Sequence, residues 1–255
     1  MLEVIFLGTG TSQGVPLIGC ECAVCISDDE RDKRLRSSIL VRDEETTIVV
    51  DTGPDFRQQM LREKIKRIDA ILYTHEHKDH IAGMDDVRAF NFILKKKMPV
   101  YVSDRVLRAL EREFYYVFSD EKYPGIPEID VHIIDTMPFY INSIYIQPVE
   151  LLHYRMPVLG YVFNKKVAYI TDANYISDVE KNKIKNLEVL IVNALRREKH
   201  VSHFTLNEAL QLIQEVNPRR AYLTHISHQL GKHEEVSREL PDNVFVAYDG
   251  LRLVL

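Results

Sequence analysis

A short run of metal-binding residue types, positions 74–80, constrains the fold of this chain more than any other feature. The run is Thr-His-Glu-His-Lys-Asp-His, and five of its side chains can bind a metal ion: His75, Glu76, His77, Asp79 and His80. It follows residues 68–73, an apolar stretch that predicts a buried strand. Open α/β folds bind ligands on loops at the carboxyl ends of strands. We therefore predict a metal site at one sheet edge; the alternative, a solvated loop, is weakened by the buried strand before it.

The composition is that of an ordinary globular protein. The chain has 255 residues, 45% apolar and 28% charged, enough for one large domain or two small ones. A formal net charge of −5 gives no attraction to nucleic acid or to an anionic membrane. Apolar runs stay well below the roughly 20 residues of a membrane span. Residues 1–8, with an acidic Glu3 and no basic region, indicate a first strand and not a signal peptide.

Strand and helix patterns alternate through both halves of the chain, without a linker, a repeat or a change of composition. We therefore expect residues 1–255 to form a single layered αββα or α/β domain. The predicted strands are 2–7, 38–42, 46–51, 68–73, 130–135, 143–150, 160–164, 166–171, 189–193, 220–224 and 244–248. The predicted helices are 55–66, 84–97, 104–118, 176–184 and 206–216.

Three isolated polar residues end later strand-like runs: His153, Asp172 and His225. Two cations about 3.5–4 Å apart need several imidazoles and a bridging carboxylate, and they make a shared water nucleophilic at neutral pH. These residues could complete such a set with the 75–80 cluster. For His153 or His225 taken alone, an ordinary surface or core histidine is the alternative.

Together these residues resemble the metallo-β-lactamase superfamily. The resemblance covers nearly the whole chain and includes Gly8-Thr9-Gly10 after the first strand and the Val49-Val50-Asp51-Thr52-Gly53 motif. It implies a four-layer αββα sandwich with the active site at one edge of the sheets. In it, one metal ion would be held by His75, His77 and His153, and the other by Asp79, His80 and His225, with Asp172 as the bridge.

The same resemblance implies that Asp51 lies behind the ligands and orients the histidine loop by hydrogen bonds, as metal sites generally require. An aspartate that simply ends a strand before a glycine turn is the alternative for Asp51.

A second group of metal-binding residues lies in the long irregular segment 11–36. Cys20-x-Cys22-x-x-Cys25 supplies three thiols, whereas a structural zinc ion needs four ligands. His228, three residues after His225, is the best candidate for the fourth. The alternative is three free cysteines in a mobile loop. Three clustered cysteines cannot form a disulfide framework, so we expect a reducing cytoplasm.

The cysteine triplet extends the resemblance to the PhnP-type phosphodiesterases, which carry an extra structural zinc in this loop. They hydrolyse five-membered cyclic phosphates, notably a phosphoribosyl 1,2-cyclic phosphate, and some generic phosphodiesters. Their additional histidine is matched by His203, which would protonate the leaving alkoxide or hold the phosphoryl oxygens; a histidine that merely precedes a helix is the alternative. The roles of His200, Arg196 and Arg197 stay open between substrate binding and a solvated surface.

The leading functional hypothesis is therefore a dinuclear metal phosphodiesterase, with Asp79, Asp172 and His203 as its catalytic residues. It implies two divalent ions, Zn or Mn, in the active site and one structural Zn. A small phosphodiester is the expected partner, with neither a membrane nor, we expect, nucleic acid; a homodimer stays open. Two alternatives remain: hydrolysis of thioesters, lactones or RNA 3′ ends on the same metals, and a metal-binding regulatory module without catalysis.

Overall fold

Fourteen strands form two sheets in residues 1–121 and 123–255, the part of the chain that the computed structural model describes. In chain order the strands are β1 (Glu3–Gly8), β2 (Ser38–Arg42), β3 (Thr47–Val50), β4 (Ala70–Leu72), β5 (Met98–Val102), β6 (Ile129–Ile133), β7 (Phe139–Ile141), β8 (Ile144–His153), β9 (Met156–Phe163), β10 (Val167–Ile170), β11 (Val189–Asn193), β12 (Arg220–Thr224), β13 (Val244–Val246) and β14 (Arg252–Val254).

Eight α-helices connect or cover these strands in the same described ranges. They are α1 (Phe56–Arg62), α2 (Lys78–Ile81), α3 (Arg88–Leu94), α4 (Asp104–Glu113), α5 (Tyr115–Phe118), α6 (Asp178–Lys183), α7 (Leu206–Val216) and α8 (His233–Glu239). Two 3₁₀ turns, Glu30–Asp32 and Met84–Val87, complete the elements. None of these helices has the length and apolar character that a membrane span requires.

The two sheets have the same design, an antiparallel part joined to a parallel part. Their strand orders are β14-β1-β2-β3-β4-β5-β6 and β13-β12-β11-β10-β9-β8-β7. Strands β3 to β6 run parallel in the first sheet, and β10 to β13 run parallel in the second. Parallel strands end at one edge of their sheet, so the residues that follow them gather there.

Three hydrophobic cores hold four layers together. The central core joins the two sheets, with Phe6 and Val50 from the first facing Tyr161 and Ile191 from the second. One outer core packs the first sheet against α1, α3 and α4, and the other packs the second sheet against α7, α8 and the residues that flank α6. This architecture confirms the predicted four-layer αββα sandwich, whereas the assignment of residues 1–255 to one domain stays a prediction.

The predicted helices in the first half are too long. The helix predicted at 84–97 is a 3₁₀ turn followed by α3, which ends where Lys95 takes a left-handed backbone (φ 52°). The helix predicted at 104–118 is interrupted at Phe114, where φ is −124°. Strand β9 begins at Met156 and not at 160, because it pairs with β8 up to the hairpin turn.

Candidate metal centre

The histidine-rich run forms a loop and one helical turn at the end of β4. His77 precedes α2, and His80 lies inside that turn with its side chain fully buried. The segment after β3 approaches this turn closely, because a Cβ atom at Gly53 would lie 2.1 Å from the carbonyl oxygen of Asp79. Only glycine allows that approach. The Asp51-Thr52-Gly53 sequence therefore fixes the position of the metal-binding loop.

Asp51 anchors the loop from beneath. Its buried carboxylate accepts hydrogen bonds from the backbone N and the Oγ1 of Thr74, each at 2.8 Å, and from Nδ1 of His80 at 2.7 Å. The bond to Nδ1 leaves Nε2 of His80 as the atom that can bind a metal. Asp51 thus hydrogen-bonds to the histidine loop, and its role in orienting bound ligands stays a prediction.

The first ligand group consists of His75, His77 and His153. One ring nitrogen from each lies within 4.8 Å of the others, and His75 Nε2 is 3.1 Å from His77 Nδ1. His153, at the end of β8, donates from Nδ1 to the carbonyl oxygen of Ser202 at 2.9 Å. This leaves its Nε2 available, so three imidazoles can face one cation.

The second ligand group consists of Asp79, His80, Asp172 and His225, whose donor atoms also lie within 4.8 Å of one another. Asp172 Oδ2 is 3.2 Å from both His80 Nε2 and His225 Nδ1. These two nitrogens are buried and have no hydrogen-bond partner among the described residues. Buried polar atoms without a partner are costly, and a bound cation would satisfy both of them. The donor set therefore fits a divalent metal.

Asp172 also contacts a third group. Its Oδ1 is 3.2 Å from Nε2 of His203, and His153, Asp172 and His203 again have donor atoms within 4.8 Å of one another. The carboxylate therefore lies between the two ligand groups with one oxygen toward His203. The other nitrogen of His203, Nδ1, is 3.1 Å from Nδ1 of His200 and 3.0 Å from Ser202 Oγ.

Three site residues have an unusual backbone that the sequence did not indicate. Asp51, Asp172 and His225 have φ values of 65°, 57° and 53°, and each lies just after a strand of the parallel parts. Residues other than glycine rarely adopt this left-handed conformation, and when they do it often marks a functional site. Here it turns each side chain out of its strand direction toward the common centre.

Burial and charge set the protonation of the centre. Burial lowers the pKa of His225 to about 4 and also lowers that of His153 and, by a larger amount, that of His75. Burial alone would lower the pKa of His80 too, but the carboxylates of Asp172 and its neighbours outweigh it and raise that pKa well above its usual value. Most of the imidazoles are thus neutral, the form that binds metal.

Asp172 responds in the opposite direction. Burial alone would raise its pKa, yet the neighbouring His225 and His80 side chains outweigh burial and hold the pKa well below the usual value. An ionised carboxylate in the middle of the cluster supplies the negative charge that two adjacent cations need.

The cysteine loop and His228 form a separate cluster. Nδ1 of His228 lies 3.3 Å from Sγ of Cys20, 3.3 Å from Sγ of Cys22 and 3.5 Å from Sγ of Cys25. The hydrogen bond from the backbone of Cys25 and then that from His228 lower the pKa of the Cys22 thiol to about 6, whereas burial raises that of Cys25 to about 11. Three sulfurs and one imidazole are a donor set suited to a structural zinc.

Arg196 and Arg197, whose roles the sequence left open, have contacts outside the metal centre. Arg196 donates to the carbonyl oxygens of Glu198 and Lys199 and to Gln229, and Arg197 donates to the carbonyl oxygen of Leu230 and to Glu239. Both guanidinium groups thus connect neighbouring loops. Glu76, a fifth possible ligand in the sequence, instead accepts a hydrogen bond from Arg105.

A sandwich of this kind with two adjoining His/Asp ligand groups defines a hydrolase of the metallo-β-lactamase fold that binds divalent metal. Comparison with known families agrees: residues 46–226 match the model of the beta-lactamase superfamily domain. The chain belongs to this family, as its sequence motifs predicted.

Solved structures give the same result. The crystal structure of a diphosphatase from the PhnP family is 39% identical, covers 99% of this chain and 96% of that one, and superposes with a TM-score of 0.93. The PhnP-type resemblance of the sequence is therefore confirmed. Zn²⁺-bound PqqB from Methylobacterium extorquens covers 99% of this chain and all of its own, at 19% identity and a TM-score of 0.80, which shows a shared fold.

One relative at a similar level of identity is named for a different activity. An octanoyltransferase from Porphyromonas gingivalis (strain W83) is 37% identical over 257 residues, which is all of this chain but 52% of that protein. The exodeoxyribonuclease YycJ of Bacillus anthracis is 28% identical over 60% of this chain and 56% of its own length. The chain thus spans about half the length of these curated relatives.

Proposed function

We propose that the protein is a dinuclear metal-dependent phosphodiesterase that acts on small or cyclic phosphodiesters. The observation that carries the proposal is the position of Asp172, with one oxygen between His80 and His225 and the other toward His203. A carboxylate between two ligand groups is what two adjacent cations require. The contact with His203 connects that carboxylate to a side chain that can move a proton.

In this proposal His75, His77 and His153 would hold one ion, Asp79, His80 and His225 would hold the other, and Asp172 would lie between them. When bound, the ions would supply an activated water and positive charge for the phosphoryl oxygens. The protein's own side chains orient the ligands and move the proton. Asp51 keeps His80 oriented through Nδ1, and His203 gives a proton from Nε2 to the leaving alkoxide.

The bond that is hydrolysed has a second candidate. The 39% identical relative from the PhnP family is a diphosphatase, which makes a phosphoric anhydride an alternative to a phosphodiester. Both reactions place a phosphoryl group on the same ions, so the ligand set alone does not separate them. The leaving group separates the two reactions. A diester releases an alkoxide that needs a proton from His203, whereas an anhydride releases a phosphate that needs this proton less.

The octanoyltransferase name belongs to a protein about twice as long, so acyl transfer enters here only as a competing class. An acyl thioester is the relevant substrate, in line with the thioester alternative that the sequence left open. A regulatory module without catalysis is the alternative from outside the enzymes.

One experiment separates these alternatives. We would measure metal content by elemental analysis and then assay the loaded protein on bis(p-nitrophenyl) phosphate, cyclic and linear phosphodiesters, inorganic diphosphate and octanoyl-coenzyme A. Turnover of the diesters, lost in Asp172→Ala, is expected. Turnover of diphosphate or of the thioester alone would replace the proposal, and no turnover on any of them with both ions bound would favour the regulatory module.

The cofactor and partner assignments belong to the same proposal. We propose two divalent ions, Zn or Mn, in the centre and one structural Zn on Cys20, Cys22, Cys25 and His228. The proposed partner is a small phosphodiester, without a membrane or nucleic acid. A homodimer and a cytoplasmic location remain predictions.

A further inference from the structure

A cavity of about 310 Å³ adjoins the metal centre. It lies between the segments that follow β4, β5 and β6 in the first sheet and the β8–β9 hairpin of the second. His75 belongs both to the wall of this cavity and to the first ligand group. Its volume is near the lower end of the range for ligand pockets, about 300–1,000 Å³. The cavity can therefore hold a group of about one ring next to the reacting centre.

Glu76 lines this cavity and has a hydrogen-bond acceptor that no described residue uses. Its Oε1 accepts a hydrogen bond from Nε of Arg105, but its Oε2 is buried and has no partner among the described residues. The Glu76 side chain is only 15% exposed. A buried carboxylate oxygen without a partner costs free energy that a donor from a ligand would restore. Glu76 therefore points to a ligand that carries a hydrogen-bond donor.

The charges around the cavity exclude a second phosphate. Arg105 is already paired with Glu76. Among the other described lining residues, Arg108 is the one positive charge, and Asp104, Asp135 and Glu150 carry three negative charges. Three negative charges against one positive charge repel an anion. A neutral group is favoured there, with hydroxyls toward the carboxylates.

The inner wall of the cavity is apolar. Val106, Val158 and Leu159 line it, and they also belong to the buried cores of the two sheets. An apolar wall with a few polar acceptors suits a group that has both a hydrocarbon face and hydroxyls.

The position of His203 decides which part of a diester enters this cavity. His203 contacts Asp172 and stacks on His225 with ring centroids 4.9 Å apart, whereas the cavity is lined by His75 and Glu76. If His203 protonates the leaving alkoxide, that alkoxide departs on the His225 side. The other alcohol, which keeps its bond to phosphorus, is then directed toward the cavity.

We propose that this cavity binds the retained alcohol of the phosphodiester, an uncharged group with hydroxyls, and that Oε2 of Glu76 accepts a hydrogen bond from one of those hydroxyls. The inference rests on the proposed phosphodiesterase function. Glu76 is thereby a specificity-determining residue, and Arg105 is a positioning residue that holds Glu76 by its other oxygen.

The test uses two substrates that differ only in the retained alcohol. The p-nitrophenyl diesters of glycerol 3-phosphate and of propyl phosphate release the same p-nitrophenol, but only the first has free hydroxyls. We expect the wild type to prefer the glycerol diester by about tenfold or more in kcat/KM, the value of a buried hydrogen bond to a charged acceptor. Glu76→Leu should abolish most of this preference, because only the glycerol diester loses a hydrogen bond.

A matched variant controls for the loss of a carboxylate near the loop. Glu113 pairs with Lys78, beside the same loop but outside the cavity lining, so Glu113→Gln should keep the full preference. Glu76→Gln keeps an oxygen acceptor and should keep part of it. An equal fall on both diesters in Glu76→Leu, or a loss of metal, would show that Glu76 holds the loop and would overturn the proposal.

A binding measurement tests the cavity without turnover. Titration calorimetry of the metal-loaded protein with glycerol 3-phosphate and with propyl phosphate should show tighter binding of the first, and Glu76→Leu should equalise the two. If neither diester is hydrolysed but this binding difference is present, the proposed phosphodiesterase function fails and the subsite stands. Equal affinities in the wild type would overturn the subsite whatever the activity.

Discussion

His80 donates a hydrogen bond from Nδ1 to Oδ2 of Asp51 at 2.7 Å, and both side chains are fully buried. The bond determines which nitrogen of His80 faces Asp172 and His225. Asp51 also holds Thr74, the residue directly before His75. One carboxylate outside both ligand groups therefore orients residues that belong to each of them.

Asp51→Asn tests this relationship. The amide keeps the volume but loses the charge and one acceptor, so we expect metal affinity to fall by about 10- to 100-fold, as is typical for residues that support a ligand. The affinity would be measured by competition with a chelator. Asp178→Asn, at a side chain that is 97% exposed, is the control. An unchanged metal affinity in Asp51→Asn would show that Asp51 only ends the strand β3 and does not support the ligands.

Asp172→Ala should remove most activity and lower the metal content. The substitution removes the carboxylate that contacts His80, His203 and His225, and the remaining imidazoles cannot compensate for two adjacent cations. Elemental analysis and turnover of bis(p-nitrophenyl) phosphate would be measured together. Full turnover in the variant would refute the bridging role.

His203→Ala should separate catalysis from metal binding. Because His203 contacts Asp172 but is proposed to ligate neither ion, we expect both ions to stay bound while kcat falls by about 10²- to 10⁴-fold, the usual contribution of a general acid. The loss should be smaller with bis(p-nitrophenyl) phosphate, whose leaving group needs little protonation, than with an alkyl diester. Loss of metal would instead make His203 a ligand.

The sequence predicted the fold where strands are long and buried. Val189–Asn193 and Arg220–Thr224 are apolar runs in the middle of a sheet, and both strands were found at the predicted bounds. Strands β5, β7 and β14 were missed. Strands β7 and β14 are only three residues long, and β14 exists through its pairing with the distant β1, such as Glu3 with Val254. Helix α8 was also missed, and its first residue is held by Asp32 from the cysteine loop.

The candidate site shows the same division between local and distant information. The 75–80 cluster is a continuous motif, so a metal-binding loop could be predicted from its residues, whereas the choice of ligands among them came from the family resemblance. The approach of His228 to Cys20 spans 208 positions and could be proposed only because zinc needs a fourth ligand. The pairing of Glu76 with Arg105 and the left-handed backbone of Asp172 depend on tertiary packing, which leaves no pattern in the sequence.

Cys22→Ser should affect stability before chemistry. If the cysteine cluster binds zinc, the variant loses one zinc per chain and the long loop 11–36 loses its closure, so the melting temperature should fall. The loop also contacts the active site, since Thr11 Oγ1 lies 3.4 Å from His225 Nε2, and a modest fall in kcat should follow. Ile26→Ala in the same loop, at a residue that is 65% exposed, is the control. Full zinc content with an unchanged melting temperature would contradict the structural site.

The raised pKa of His80 predicts that metal binding releases a proton. The carboxylates of Asp172, Asp79 and Asp51 outweigh burial and keep the ring of the metal-free protein protonated at pH 7, but only a neutral imidazole binds metal. His225, with a pKa of about 4, is already neutral and contributes no proton. Affinity should therefore rise with pH up to the raised pKa of His80 and level off above it.

Calorimetric titration with Mn²⁺ measures this release, because Mn²⁺ prefers the nitrogen and oxygen ligands of the centre and leaves the cysteines alone. At pH 7, two buffers with different ionisation enthalpies should give different apparent binding enthalpies, because binding releases the proton of His80 and also the proton of the water that the ions activate. His80→Gln should reduce the difference, whereas the exposed substitution His132→Gln should preserve it. Identical enthalpies in both buffers would mean that His80 is neutral before the metal arrives, and that Asp51 orients its ring without charging it.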